Sequence, residues 1–189
     1  MTEKYKSLPE LSLLMPMVGR GSRFSEVGIK EPKPLIELYG RPFFWWAVES
    51  VRRVAFLKEL VFVVLEEHCV EFGIHLRIAQ YYPTAKIIKI PEVTAGAAET
   101  AYVGLAAIEG SGPIAINDCD HAFITSDLAN TVEALLSSTA GALLCFRSSS
   151  PAYSYIDISD TCEIVGTIEK KVVSPFAIAG CYFFSSAAV

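Results

Sequence analysis

The sequence has no apolar run long enough to cross a membrane. A spanning helix needs roughly 20 consecutive apolar residues, and the most apolar stretches, residues 11–18, 60–65 and 175–189, are shorter or interrupted. Hydrophobic residues nevertheless make up 52% of the chain, and its mean hydropathy is +0.39. We therefore expect a sheet that is buried on both faces, whose strands read as solid apolar runs, and no membrane partner. A signal peptide is not expected either, because residues 11–18 contain Pro16 and no small-residue cleavage site follows.

The chain also lacks paired cysteines and an excess of positive charge. Its five cysteines are odd in number, widely spaced and without a C-x-x-C pair, which argues against a disulfide framework and a structural zinc site. Reduced thiols and a cytoplasmic location are therefore expected. The net charge of −5, from 16 basic and 21 acidic residues, makes nucleic acid an unexpected partner.

Apolar strands and amphipathic helices alternate over the first two thirds of the chain, which predicts an α/β fold. The sheet is expected to be mixed and mostly parallel, with helices on both faces. Strands are predicted at 11–18, 60–65, 85–90 and 113–117, and helices at 42–54, 69–80, 97–109 and 126–136. The last third is strand-rich, with strands predicted at 141–147, 155–158, 164–170 and 178–184.

This pattern predicts one domain over residues 11–189, preceded by a flexible arm over residues 1–10. Only Ser-Ser-Ala-Ala-Val follows the last predicted strand, so we expect a chain truncated at its C-terminus. Ligands of open α/β sheets collect at the carboxyl ends of the strands. The loops at 18–35, 91–99 and 118–122 are therefore the candidate binding loops.

The first of these loops, "MVGRGSRFSEVGIKEPKPL" (17–35), concentrates glycine and positive charge. Gly19 and Gly21 allow main-chain N–H groups to approach an anion. Ser22 adds a hydroxyl, and Arg23 is suited to gripping phosphate oxygens. Lys33 lies between two prolines that restrict its backbone, as suits an ammonium that meets developing phosphate charge. A solvated surface turn is the alternative, since neither a P-loop nor a G-x-G-x-x-G pattern is present.

A pair of carboxylates, Asp118 and Asp120, follows a buried strand in "INDCDHAF" (116–123). Mg²⁺ prefers one or two carboxylates together with phosphate oxygens and water, so the pair predicts a half-site that a nucleotide completes. A solvated turn is the alternative. Cys119 is expected to be inert packing, and His121 a structural or surface residue.

Several stretches together resemble the sugar-nucleotide pyrophosphorylases of the nucleotidyltransferase superfamily. They are "PMVGRGSRF" with "EPKPLIELYGRPFFWWAVES", then "TAGAAETA" (94–101), "INDCDHAF", and "GTIEKK" (166–171) with "IAGCYFF" (178–184). They occur in the family's order and cover most of the chain. Val18 departs from the pattern, because many members have a glycine there. The resemblance implies a GT-A-like fold.

The resemblance also implies roles for individual residues. The loop from Val18 through Gly19, Gly21 and Ser22 to Arg23 would wrap an NTP. Lys33 would be the catalytic lysine at the α-phosphate, with Arg23 on the phosphates. The further implied contacts are Gly96 and Ala97 with the nucleoside, Asp120 and Asp118 with Mg²⁺, and Glu169, Lys170 and Gly180 with the sugar. For Gly96 the alternative is a helix start, with Glu99 completing a capping box.

The implied reaction is attack of a sugar 1-phosphate on an NTP, which gives NDP-sugar and pyrophosphate for nucleotide-sugar and polysaccharide biosynthesis. Another small phosphorylated acceptor, such as phosphocholine, stays open. The D-x-D of Asp118–Asp120 leaves a GT-A glycosyltransferase as an alternative. A non-catalytic nucleotide-binding domain is another, because family members supply a second metal-binding carboxylate beyond the point where this sequence stops. Residues 43–45 are open to a contact in a homo-oligomer, although the pattern favours core packing.

Overall fold

The computed structural model describes residues 8–19, 28–137, 139–161 and 163–187. Within these ranges the chain forms ten strands and five α-helices. The strands are β1 (Glu10–Met17), β2 (Glu37–Leu38), β3 (Arg41–Pro42), β4 (Phe56–Leu65), β5 (Lys86–Ile90), β6 (Ile114–Asn117), β7 (Gly141–Arg147), β8 (Tyr155–Ile158), β9 (Ile164–Ile168) and β10 (Phe176–Phe184). The helices are α1 (Phe43–Arg52), α2 (Glu66–Glu71), α3 (Ile74–Tyr81), α4 (Ala97–Leu105) and α5 (Leu128–Ser137), and a short 3₁₀ helix spans Lys33–Leu35.

Eight of the described strands form one mixed sheet in the order β5-β4-β1-β6-β10-β8-β9, with β7 also paired to β10. The first four strands of this order are parallel. Strand β10 joins them antiparallel to β6, and β7, β8 and β9 extend the antiparallel part. The predicted fold class is confirmed, with a parallel part from the first two thirds of the chain and a strand-rich last third.

Both faces of the parallel part are buried, which explains the solid apolar runs. Leu13 and Met15 of β1 belong to a core with α1, α3 and α5 on one face, whereas Leu14 packs with α4 on the other. Burying one such side chain is worth about 1.5–3 kcal/mol, so both faces contribute to stability. Phe44 is fully buried, in agreement with the core packing favoured for residues 43–45.

Several predicted element bounds are wrong. The helix predicted at 69–80 is two helices, α2 and α3, because Gly73 between them has a φ of +62°, a value that an α-helix does not accommodate. The helix predicted at 97–109 ends at Leu105. The strand predicted at 164–170 ends at Ile168, and a turn with Lys170 at φ +53° follows it.

Within the described part of the chain, no helix is both long and apolar enough to traverse a bilayer. The cysteines that the structure describes, Cys69, Cys119, Cys145 and Cys181, are all free thiols. Cys162 lies outside the described residues.

Candidate functional site

A cleft of about 370 Å³ opens at the carboxyl ends of β1, β5 and β6. The loops predicted at 18–35, 91–99 and 118–122 all contribute to its wall. The lining residues are Pro16, Met17, Val18, Gly19, Lys33, Pro34, Val93, Thr94, Gly96, Ala97, Thr100, Asp118, Cys119, Asp120 and His121. Residues distant in sequence thus meet because parallel strands end at the same edge of the sheet.

Lys33 and Asp120 form an ion pair in this cleft, between the Lys33 Nζ and the Asp120 Oδ2 atoms. Their side chains remain 31% and 22% exposed, so both charges are reachable from solvent. Lys33 is the first residue of the 3₁₀ helix. In this helix the Leu35 N–H donates a hydrogen bond to the Pro32 carbonyl at 2.8 Å. Because prolines flank Lys33, its backbone is restrained on both sides. The side chain that carries the ammonium therefore extends from a fixed point of the main chain.

Asp118 and Asp120 belong to a tight turn that follows β6. The Asp118 N–H donates to the Gly180 carbonyl at 2.9 Å, and the His121 N–H donates to the Asp118 carbonyl at 3.2 Å. His121 Nδ1 lies 3.2 Å from Asp118 Oδ2. The Asp118 carboxylate raises the pKa of His121, against the opposing effect of burial. The turn therefore keeps both carboxylates on the cleft wall, with His121 against one of them.

Cys119, between the two aspartates, is only 7% exposed. Burial raises the pKa of its thiol well above the usual range, and the neighbouring aspartates add to this. A thiol held protonated is a poor nucleophile, which agrees with the expected packing role.

Gly180 lies in β10 directly beneath the turn. Its φ is +68°, and a methyl group at this position would collide with His121 Nδ1 and come within 2.7 Å of Asp118 Oδ2. Strand β10 also has an irregular register between Ile178 and Tyr182. Gly180 therefore allows the turn to lie close against the sheet, and its contact with a sugar stays a prediction.

The start of α4 forms another wall of the cleft, with Gly96 at the helix N-terminus. Glu99 Oε2 accepts a hydrogen bond from the Ala95 N–H at 2.7 Å, one residue before the position of a capping box. Thr94 Oγ1 lies 2.6 Å from Thr100 Oγ1, so these two hydroxyls brace the loop. Gly96 and Ala97 are thereby held on the cleft wall, and nucleoside contact stays their predicted role.

Glu169 and Lys170 are not among the lining residues of the cleft. They form an ion pair with each other at 2.8 Å, with side chains 72% and 54% exposed. Their turn follows β9, an edge strand that β10 and β8 separate from β6. The structure does not bring these two residues to Lys33 and Asp120, and sugar binding stays a prediction for them.

The glycine-rich loop is described only at its start. Val18 is 3% exposed, and Gly19 has open space where a side chain would lie. Gly21, Ser22 and Arg23 lie outside the described residues, so their predicted phosphate contacts stay predictions.

The oxygen ligands in the cleft suit a hard cation, although they come from only two carboxylates. Among the described residues, no group of three His, Cys, Asp or Glu side chains is arranged to hold a metal ion. Asp118 and Asp120 share one turn and one cleft, and oxygen ligands are the ones that Mg²⁺ prefers. The two carboxylates therefore fit a Mg²⁺ that takes its remaining ligands from phosphate oxygens and water.

Asn117 holds the carboxylate turn in place and Ser50 holds the loop that follows it, and sequence reasoning missed both. Asn117 Nδ2 donates to the Ala47 carbonyl of α1 and to the His121 carbonyl, each at 3.2 Å. Ser50 Oγ accepts a hydrogen bond from the Phe123 N–H at 2.9 Å. The available signal for Asn117 was a polar side chain at the end of a buried strand, immediately before the aspartates.

Comparison with known proteins identifies a family whose sequence model covers most of the chain. The sequence model of the MobA-like NTP transferase domain matches residues 18–162. No curated protein sequence matches the chain.

Solved structures of low sequence identity share the fold. The nucleoside-diphosphate-sugar pyrophosphorylase from Vibrio cholerae RC9 is 22% identical, with a TM-score of 0.74 over 92% of this chain and 73% of that one. The inositol-1-phosphate CTP transferase from T. maritima is 16% identical, with a TM-score of 0.76 over 95% and 71%. HddC from Yersinia pseudotuberculosis is 18% identical, with a TM-score of 0.73 over 93% and 76%.

Proposed function

Because this chain belongs to the MobA-like NTP transferase domain family, we propose that it transfers the nucleotidyl group of an NTP to a sugar 1-phosphate. The observation that carries the proposal is the ion pair of Lys33 with Asp120 in the cleft that Gly19, Gly96 and Ala97 also line. A triphosphate suits this cleft, because it offers a lysine ammonium, a pair of carboxylates for a cation, and two wall segments that contain glycine.

In the proposed reaction, an oxygen of the acceptor phosphate attacks the α-phosphorus of the NTP. A new P–O bond forms, the bond from the α-phosphorus to the bridging oxygen breaks, and pyrophosphate leaves with that electron pair. Such transfers depend on positioning and charge neutralisation more than on covalent help. Lys33 offsets the charge that grows around the α-phosphorus, and Arg23 does the same on the phosphates.

Asp118 and Asp120 are the residues that would hold Mg²⁺. When bound, the ion would neutralise phosphate charge and orient the attacking and leaving oxygens. The Lys33 ammonium lies against Asp120, which places it beside the carboxylates that would hold the ion.

A sugar 1-phosphate is the proposed acceptor, and another small phosphorylated compound is the alternative. The T. maritima neighbour is an inositol-1-phosphate CTP transferase, whereas the Vibrio neighbour is a nucleoside-diphosphate-sugar pyrophosphorylase. In our proposal, Glu169 and Lys170 contact the acceptor, and the cytoplasm is where the reaction takes place.

Pyrophosphate release from a panel of NTPs and sugar 1-phosphates, with Mg²⁺, tests the proposal. We expect Lys33→Ala to lower kcat by about 100-fold or more while the far-UV circular dichroism stays unchanged. Lys58→Ala is the matched control, since Lys58 forms a surface ion pair with Glu10 at 2.9 Å and does not line the cleft. Full activity of purified Lys33→Ala would contradict the assignment.

The same assay separates the alternatives. A glycosyltransferase would release NDP from a sugar nucleotide and no pyrophosphate from an NTP. A non-catalytic domain would show NTP-dependent thermal stabilisation without turnover. Family membership favours nucleotidyl transfer over both.

A further inference from the structure

The side chain of Asn117 is a polar group that is completely buried at the base of the carboxylate turn. Its two amide hydrogens face two different carbonyl oxygens, Ala47 O in α1 and His121 O at the end of the turn, at 3.2 Å each. The amide therefore joins a helix to the far end of the turn that carries Asp118 and Asp120.

The two hydrogen bonds of Asn117 add to the main-chain hydrogen bonds that hold the turn. The Asp118 N–H is held by the Gly180 carbonyl, and the His121 N–H by the Asp118 carbonyl. Asn117 then fixes His121 O from the inside of the protein. Both ends of the segment that bears the carboxylates are thus pinned, one to β10 and the other to α1.

The Asn117 amide is only partly satisfied in this buried position. Within the described residues, Asn117 Oδ1 has no hydrogen-bond partner although it is buried. Leaving such an atom unpaired costs about 1–3 kcal/mol. Leucine has nearly the same shape, but it would take both donors away from the Ala47 and His121 carbonyl oxygens, so the amide is what connects α1 to the turn.

We propose that Asn117 is a positioning residue that sets the separation and direction of the Asp118 and Asp120 carboxylates for a divalent cation on an NTP. The inference rests on the proposed function, because that function assigns the cation to these two aspartates. Asn117 itself contacts neither the cation nor the nucleotide, and it acts through the main chain of the turn.

The test compares Asn117→Leu with wild-type protein and with Ser50→Ala. Asn117→Leu keeps the shape and removes both donors. Ser50→Ala is the matched control, because it also breaks a bond from α1 to the following loop, at Phe123 N, but beyond the two aspartates. Each variant is measured for Mn²⁺ binding by electron paramagnetic resonance with the NTP that wild type turns over, for kcat and KM, and for Tm.

We expect Asn117→Leu to weaken Mn²⁺ binding in the presence of that NTP by about tenfold or more, as loss of an outer-shell partner does. Its KM for the metal–NTP complex should rise, and kcat should fall. Ser50→Ala should lower Tm with Mn²⁺ binding unchanged. Asn117→Ser, which keeps one donor, should lie between wild type and Asn117→Leu, and it carries the test if Asn117→Leu fails to fold.

The outcomes separate this inference from the proposed function. If wild type releases pyrophosphate while the Asn117 variants lose only Tm and bind Mn²⁺ normally, the positioning role is wrong and the function stands. If wild type neither releases pyrophosphate nor binds Mn²⁺ with any NTP, both are wrong.

Discussion

At the scale of single residues, the ion pair of Lys33 and Asp120, to which we assign a role in the reaction, should contribute little to folding. Both partners are partly exposed, and exposed ion pairs contribute only about 0–1 kcal/mol to stability. Removing Lys33 should therefore leave a folded protein, so a loss of turnover in Lys33→Ala is interpretable.

Gly180 is a residue at which a small change should have a large structural effect. Gly180→Ala places a methyl group against His121 Nδ1 and 2.7 Å from Asp118 Oδ2, at a φ of +68°. Both the strained backbone and the overlap oppose the native turn. We expect the free energy of unfolding to fall by about 2–3 kcal/mol, measured by urea denaturation, with weaker Mn²⁺ binding in the same variant.

Gly166→Ala is the matched control for that experiment. Gly166 lies in β9 and has no heavy atom within 4 Å of where its methyl group would be. The change should alter the free energy of unfolding by less than about 0.5 kcal/mol. Equal effects of the two substitutions would contradict the argument from close contact with the turn.

Residue patterns predicted the cleft better than they predicted what supports it. Lys33, Asp118 and Gly96 could be identified because their loops follow predicted strands, and ligands of open α/β sheets bind at the carboxyl ends of the strands. The support from Asn117 was signalled only by its polar side chain at the end of a buried strand, because its role depends on the approach of Ala47, 70 residues away. Such a contact leaves no local pattern in the sequence.

At the scale of elements, the predicted strands were accurate where both faces are buried, and helix ends were not. Strands β1, β4 and β6 were recognisable from continuous apolar runs, whereas β5 has lysines at two of its five positions. The break at Gly73 between α2 and α3 was signalled only by the glycine itself, whose φ of +62° depends on how the two helices pack. The turn at Glu169 and Lys170 was read as strand because its residues continue the pattern of β9.

The packing of α4 on the sheet provides a test at this scale. Gly104 faces β1 and β4, and a methyl group there would overlap Leu14 Cδ1 and lie 2.7 Å from Val63 Cγ2. Alanine in place of glycine favours a helix by about 1 kcal/mol. Leu14 and Val63 are fully buried and have little room to shift, so we expect overpacking to prevail and Gly104→Ala to lose about 1–2 kcal/mol.

Thermal or urea denaturation of Gly104→Ala checks this expectation, with Tyr102→Ala as the control. Tyr102 lies on the same helix and is 73% exposed, so its replacement should change stability by less than about 0.5 kcal/mol. A Gly104→Ala variant that is more stable than wild type would show that α4 can move away from the sheet.

At the scale of the whole molecule, the two ends of the parallel sheet differ: one carries the cleft, and the other carries a hydrogen-bonded cluster around a carboxylate. The carboxyl end carries the cleft. At the amino end, Glu59 of β4 accepts hydrogen bonds from Lys86 Nζ of β5 at 2.7 Å and from the N–H groups of Glu109 and Gly110 at 3.1 and 2.7 Å. This carboxylate therefore connects two strands to the segment that leads into β6, far along the strands from Lys33 and Asp120.

The amino-end cluster predicts a pH dependence of stability that is separate from activity. The Lys86 ammonium and the Gly110 N–H hold the pKa of Glu59 below its usual value of 4.5. A carboxyl group whose pKa is lower in the folded state stabilises the fold above its unfolded pKa, and that contribution is lost as the pH falls through the folded value. Glu59→Gln should therefore lower the free energy of unfolding by about 1–2 kcal/mol near neutral pH, and the difference from wild type should shrink towards about pH 3.

Urea denaturation at about pH 6 and about pH 3 measures both differences. Pyrophosphate release per folded molecule should match wild type at neutral pH, since Glu59 does not line the cleft. A difference that persists undiminished in acid would mean that Glu59 acts through packing and not through its charge.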